Sequence, residues 1–375
     1  MSKLLLLTTW LMPSLSSLIV HNLATRLVLA PAKFPAHHMS VRLCEAEDDD
    51  DDEDAALEAF FSEPHPRVLP SELSVLVSAE ERAAGQLSED TLQTTAEILE
   101  EFGVVRVQQV WTAEPTLVKS LVGMLHANYE ACIEALGTRG HSSDDSFGYR
   151  EIIHRSRGRY DMSMDAGVAL RPLPTELAEA VLGPNALGSS SSGSGNRGDA
   201  MGDGSAEASG WRQQLLGHLL GADFRVNFTA ALYASRDCAD QEPHADGPID
   251  DSLYALQLFL PLCEMGVERG PTEFWPGSHH PTNTRFADMM PSLPLEGAPG
   301  DAILFDFRVV HRGTANRSPL GWRPILYQTC SRSSFIDTFN FPPQSVASAG
   351  GGDDGPATWV TTEDEDGVER TSFVQ

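Results

Sequence analysis

From Trp211 onward the chain is a series of short runs rich in β-formers, at 224–233, 253–262, 302–310 and 324–329, each broken off by Gly, Pro, Asn or Asp clusters. Helical signals lie mainly ahead of these runs and do not alternate with them. A parallel sheet needs a crossover helix between successive strands, so a doubly wound α/β fold is disfavoured. What remains is a mainly β chain with flanking helices, an antiparallel barrel or sandwich.

The segments before the strand series have their own punctuation. Ser88 suits the cap of a helix whose apolar face is Leu92, Ile98, Leu99 and Phe102, and Gly103 stops it. Residues 104–107 then read as a short strand. A second helix starts around Thr112 and Pro115, carries Leu117, Leu121, Met124, Leu125 and Cys132 at helical spacing, and ends by Gly137. That stripe is core packing rather than a cofactor site.

Three stretches look unable to build a core. Residues 1–44 hold Lys3, Arg26, Lys33 and Arg42 and no acid, and read as a targeting leader. The apolar run from Leu4 to Leu11 with Ala30-Pro31-Ala32 fits a signal peptide; the lack of acid with scattered Arg and Ser fits a plastid or mitochondrial presequence. Residues 45–85 form an acidic, largely disordered linker, since nine of the ten residues from Glu45 to Asp54 are acidic. Residues 188–210 are Gly/Ser-rich and read as a flexible insert in a domain spanning 86–345, and 346–375 as a disordered acidic tail.

Composition narrows the partners. With 375 residues and 41% hydrophobic content the chain can bury a sizeable core. Acidic residues number 54 against 26 basic ones, a formal net charge of −28, which repels a phosphate backbone and argues against nucleic acid as a partner. Leu4 to Val20 is too polar and short for a stable membrane span. The five cysteines, Cys44, Cys132, Cys238, Cys263 and Cys330, contain no CxxC pair, so neither a zinc ribbon nor a disulfide framework is indicated.

The chemistry concentrates in His244-Ala245-Asp246 and His311. On an extended chain residues i and i+2 face one side, so an imidazole and a carboxylate point at one ion, and His311, after the run 301–310, supplies a second imidazole from another strand. Two imidazoles and one carboxylate on one face leave adjacent coordination positions open, as in non-haem Fe(II) oxygenases. Arg323, twelve residues beyond His311, offers a guanidinium suited to a carboxylate.

The order His244-x-Asp246, then Gly-Pro-Thr-Glu-Phe-Trp-Pro-Gly-Ser-His at 270–279, then His311 and Arg323, closely resembles the phytanoyl-CoA dioxygenase family of Fe(II)/2-oxoglutarate oxygenases. The likeness spans roughly 102–342, interrupted by the Gly/Ser insert. It implies a double-stranded β-helix, a jelly-roll or cupin-like barrel, with Fe(II) on His244, Asp246 and His311 and the distal carboxylate of 2-oxoglutarate on Arg323. It further implies O2 as co-reactant, ascorbate as a candidate reductant, and release of succinate and CO2 on hydroxylating a small-molecule or lipid-like substrate. Asp246 favours hydroxylation, since related halogenases have a small residue there. The family commonly has a small hydroxylated residue just after the distal His; here Arg312-Gly313-Thr314 follows, which leaves Thr314 a weaker cosubstrate contact.

Further positions have two readings. Gln257 and Tyr233, on strands presumed to face the interior, are candidates for cosubstrate or supporting contacts. Arg159, Tyr160 and Asp161 either line the substrate pocket or form an ion-paired structural cluster, and Arg150, Arg155, Arg157 and Arg159 together could make a local basic pocket. His279 and His280 read as part of a turn, not as ligands, and Arg317 as a solvent-facing loop residue. Asn227 and Asn316 head glycosylation tripeptides but sit on or beside presumed strands. Two other classes fit the same barrel: a non-catalytic metal- or ligand-binding module, and a cupin-type metalloenzyme without 2-oxoglutarate.

Overall fold

The computed structural model describes residue 60 and residues 67–142, 146–183 and 210–347 apart from isolated positions, together with the backbone of 358–363 and 369–374. The leader at 1–44 and nearly all of the insert at 188–210 lie outside the described residues. No described helix is long and apolar enough to cross a membrane.

The fold is mainly β. An eight-stranded sheet has the spatial order β1 (Ser74–Leu76), β2 (Val104–Gln108), β9 (Ala302–Asp306), β6 (Ala255–Pro261), β11 (Arg323–Ser331), β5 (Arg225–Ala234), β4 (Arg159–Ser163), β3 (Ile152–Ser156). All its pairings are antiparallel except β1 with β2. A second sheet of three strands runs β10 (His311–Gly313), β7 (Thr272–Phe274), β8 (Leu293–Pro294). This is the two-sheet arrangement of a double-stranded β-helix, with the large sheet left open at β1 and β3 rather than closed into a hydrogen-bonded barrel.

Alternation along the strands separates two cores. From β6, Leu256, Leu258 and Leu260 face a helical layer, joined there by Leu304 of β9 and by Leu326 and Cys330 of β11. That layer is α2 (Glu89–Phe102), α3 (Pro115–Thr138), α4 (Thr175–Leu182) and α5 (Trp211–Leu220), which follow the short helix α1 (Ala79–Ala84). Helix α3 contributes Leu121, Leu125, Cys132 and Leu136, all essentially unexposed. The other face of the large sheet presents Phe259, Phe305 and Tyr327 to Phe274 of the small sheet, with the Phe274 and Phe305 rings 5.1 Å apart. His311, Gln257 and Arg323 lie on this inner side.

Helix α2 begins at Ser88, whose hydroxyl accepts the Thr91 N–H, and ends on left-handed Gly103, as its sequence signals require. Gly103 has a second reason to be glycine: a Cβ there would come within 2.6 Å of the His279 ring. Differences from the sequence reading are local. Order begins before Ser88, because Leu73 of the presumed linker is wholly buried and β1 and α1 follow it. The run 302–310 is not one strand: Asp306 accepts the Arg308 N–H at 2.9 Å and pairs with its guanidinium, turning the chain from β9 of one sheet into β10 of the other. Within 346–375, expected to be a disordered tail, β12 (Thr358–Glu363) and β13 (Glu369–Val374) form an antiparallel hairpin, consistent with their β-forming residues.

Candidate metal centre and anion cradle

The segment around His244 is fastened to the distal strand mainly through backbone, with the Gln241 side chain also accepting the Gly313 N–H at 3.0 Å. His244 and His311 exchange both N–H···O bonds, at 2.9 and 2.8 Å, and the Asp246 N–H donates to the Phe307 carbonyl at 2.8 Å. This pairing sets three donors together: His244, Asp246 and His311 offer ligand atoms within 4.8 Å of one another. His244 Nε2 and His311 Nε2 lie 3.9 and 3.7 Å from Asp246 Oδ1.

The donor chemistry fits one cation. His244 Nδ1 lies 2.8 Å from the Glu242 carbonyl and His311 Nδ1 3.1 Å from that of Val309. A carbonyl only accepts, so each Nδ1 carries the hydrogen and each Nε2 keeps its lone pair for a metal. Asp246 Oδ2 accepts the Gln257 amide at 3.1 Å, leaving Oδ1 toward the two imidazoles, and Thr329 Oγ1 in turn donates to Gln257 Oε1 at 2.9 Å. Ligand bonds of about 2.0–2.2 Å span donors up to about 4.4 Å apart, so both His–Asp pairs already fit and the widest separation closes by a few tenths of an ångström.

The distal strand is held from behind by the turn between β7 and the short helix α6 (Pro281–Thr284). Ser278 Oγ accepts the Val310 N–H at 2.8 Å, and the Trp275 N–H donates to the Val310 carbonyl at 3.0 Å. His279 is buried with Nε2 3.0 Å from the Glu100 carbonyl, and burial, then the neighbouring His280, lowers its pKa to about 4. Neither histidine belongs to the metal cluster. Ser278 was not legible as a support, because its role depends on which strands meet, whereas Gln257, a candidate for a supporting contact, is placed against Asp246.

Arg323 opens β11 on the inner face and is 1% exposed. Its Nη1 donates to the Thr314 carbonyl at 3.2 Å, its Nε has no partner, and among the described residues no carboxylate lies within ion-pair distance. Burial, with the nearby charge of Arg159, brings its pKa down to about 9. A buried cation without a counter-charge suits an anionic ligand. Arg317, by contrast, is 72% exposed at its side chain, 4.0 Å from Asp240, and faces solvent.

Several candidates fall elsewhere than the sequence reading placed them. Tyr233 and Tyr160 point to the helical layer, not the interior, because they are cross-strand partners on the face of β5 and β4 that packs against the helices; Tyr233's hydroxyl pairs with His126 Nδ1 at 2.9 Å and its ring stacks on Trp322 at 4.3 Å. Thr314's hydroxyl is committed to the Pro271 carbonyl at 2.6 Å, and it is Thr314's own carbonyl that faces the arginines. The four arginines do not form one basic pocket. Arg150 pairs with Glu151, Arg155 with Asp161 at 2.7 Å, Arg157 is exposed, and Arg159 is buried among carbonyls. Asp161 is thus in an ion pair and also accepts the Tyr327 hydroxyl at 2.7 Å. Asn316 is wholly buried, its amide donating to the Ala234 and Gly321 carbonyls, so it is closed to glycosylation.

Residues 233–325 match the family model described as phytanoyl-CoA dioxygenase (PhyH). Among solved structures, the chain is similar to the non-haem α-ketoglutarate-dependent epimerase SnoN from nogalamycin biosynthesis, at 19% identity over 66% of this chain and 84% of that one, with a TM-score of 0.41. It is also similar to AviO1 from Streptomyces viridochromogenes Tue57, at 18% identity over 72% and 100% of the two chains and a TM-score of 0.42. A third is EctD from S. alaskensis with 2-oxoglutarate and 5-hydroxyectoine, at 16% identity over 75% and 89% and a TM-score of 0.43. Likenesses this distant assign no activity. The family match is the more pointed finding, because His244, Asp246, His311 and Arg323 all fall within the matched residues: the segment similar to the phytanoyl-CoA dioxygenase (PhyH) family is the one that holds the candidate site.

Proposed function

We propose that the protein is an Fe(II)- and 2-oxoglutarate-dependent oxygenase that hydroxylates a small-molecule or lipid-like substrate. The observation that carries this reading is the convergence of two imidazoles, each with its Nδ1 against a backbone carbonyl, and one carboxylate, in a chain whose Arg323 is a buried cation with no carboxylate partner among the described residues. His244, Asp246 and His311 would hold Fe(II), and Arg323 the distal carboxylate of 2-oxoglutarate. Bound iron with 2-oxoglutarate and O2 supplies oxidising power that no side chain here has.

The chain's own residues bind, orient and shield. The Glu242 and Val309 carbonyls fix the imidazole tautomers, and Gln257 fixes the carboxylate. Phe274 and Phe305 lie against the His311 ring, with centroids 5.9 and 4.7 Å away, and exclude water from that side. Retention of Asp246 supports hydroxylation over halide transfer, since no ligand position is vacated for a halide. The arginine also separates this reading from a binding module or a cupin enzyme, neither of which needs a buried guanidinium facing the same interior.

The test is anaerobic loading of the purified full chain with Fe(II) and 2-oxoglutarate, addition of air, and assay of succinate with and without metabolite extracts. Succinate formation that needs both iron and 2-oxoglutarate and rises with a particular extract is the expected result. Metal binding with no turnover of 2-oxoglutarate under any extract would favour the binding module.

A further inference from the structure

Arg159 is a second buried cation on the inner face of the large sheet, and it stands directly across the sheet from Arg323. Register places Arg159 opposite Ala234 and Ala234 opposite Arg323, so only a methyl group separates the two lanes. Both arginines are 1% exposed, and both guanidiniums converge on one acceptor: Arg159 Nη2 and Arg323 Nη1 donate to the Thr314 carbonyl at 3.1 and 3.2 Å. Arg159 reaches this place through a gap at Gly313, where an added Cβ would fall 2.2 Å from Arg159 Nη1.

Neither arginine of the pair has a carboxylate at hydrogen-bond distance among the described residues; Asp240 acts on Arg159 only as a charge farther off. Arg159's hydrogen bonds run from Nη2 to the carbonyls of Ala239, Gly313 and Thr314 and to Cys238 Sγ; none goes to a carboxylate. The buried Nε of each arginine has no partner. Two like charges in a low-dielectric interior repel, and each is held below the usual arginine range, by burial first. A purely structural staple needs neither two charges nor an unpaired Nε; one carboxylate between them would answer both costs.

We propose that Arg159 and Arg323 form a two-guanidinium cradle for one carboxylate of a dicarboxylate, with Arg159 a cosubstrate-binding residue in its own right. This rests on the reading of the site as a 2-oxoglutarate site, and it adds that half of the anion's charge partner comes from β4, admitted by Gly313.

The experiment titrates succinate, as a dicarboxylate probe that needs no turnover, into the metal-free full chain by calorimetry, and 2-oxoglutarate into the Co(II)-loaded chain by its absorption spectrum. Arg159→Gln is expected to weaken both by about tenfold or more, the loss of one charged hydrogen bond, while Co(II) affinity at His244, Asp246 and His311 stays as in wild type. Arg159→Lys should recover part of the loss by restoring the charge. Gly313→Ala keeps both arginines but fills the gap, and is expected to weaken succinate similarly; it carries the test if Arg159→Gln does not fold. Wild-type affinity in Arg159→Gln or, failing that variant, in Gly313→Ala overturns the cradle and leaves the proposed function standing. If wild type binds neither succinate nor 2-oxoglutarate, both readings fall together.

Discussion

At the residue scale the site is defined by what each donor atom is left free to do. Because both Nδ1 atoms face carbonyls, each imidazole presents Nε2 to the cluster, which has no spare ligand among the described residues. His244→Ala and His311→Ala are each expected to reduce Fe(II) from one per chain to near none, read by metal analysis after anaerobic gel filtration; undiminished iron in both would show the triad to be misassigned. Arg323→Leu is expected to leave iron binding intact and weaken 2-oxoglutarate by one to two decades, since a hydrogen bond to a charged group contributes about 1.5–3 kcal/mol. The control is Arg317→Leu, which changes a solvent-facing side chain and should bind 2-oxoglutarate as wild type does. Should the two variants exchange these results, the anion site belongs to Arg317.

At the element scale the distal strand and the insert behave in opposite ways. Strand β10 is three residues long, and beyond its pairing with β7 and with His244 it is held by the turn carrying Ser278. Ser278→Ala leaves the buried Val310 N–H without an acceptor, a cost of about 1–3 kcal/mol, and is expected to lower both thermal stability and metal affinity. A variant that melts early but binds Co(II) as tightly as wild type would separate the turn from the site. The insert, by contrast, joins two points that already meet: a Cβ on Gly183, just after α4, would lie 3.6 Å from Cα of Gly210, just before α5. Replacing 184–209 by a short Gly/Ser turn is therefore expected to leave the melting temperature unchanged or slightly raised, because loop-closure entropy varies by only about 0.6 kcal/mol per doubling of length. A fall of many degrees in calorimetry would mean that the segment packs on the domain.

At the scale of the whole molecule, the two cores share one sheet, and the seam where helices, large sheet and small sheet meet is marked by buried His279. Its folded pKa of about 4 lies below the ordinary 6.5, so between those values the unfolded chain binds more protons and stability falls as the pH drops. Asp165, raised by burial to about 6, works in the other direction over part of the same range. The difference between wild type and His279→Gln isolates the histidine: wild type is expected to lose about 3 kcal/mol more than the variant on going from pH 6.5 to 4, measured by urea unfolding. Parallel stability curves for the two proteins would refute a neutral, buried His279.

The sequence alone determined what is local. Period-2 runs broken by turn residues are strands wherever they sit, Ser88 and Gly103 bound a helix by cap chemistry, and His-x-Asp on an extended segment puts two donors on one side. The strands β3 and β4 escaped it, because their charged residues hide behind partners that only folding brings close: Asp161 is tolerable inside only beside Arg155 and Tyr327. Tertiary structure also decided the face on which each strand residue lies, since one register step moves a side chain from helical layer to inner cavity; this is why Gln257 reaches Asp246 while Tyr233 turns away. It decided, finally, that two arginines 164 positions apart share the Thr314 carbonyl. Nothing in either sequence neighbourhood encodes that meeting, because sheet order, not chain order, brings β4 and β11 to either side of β5.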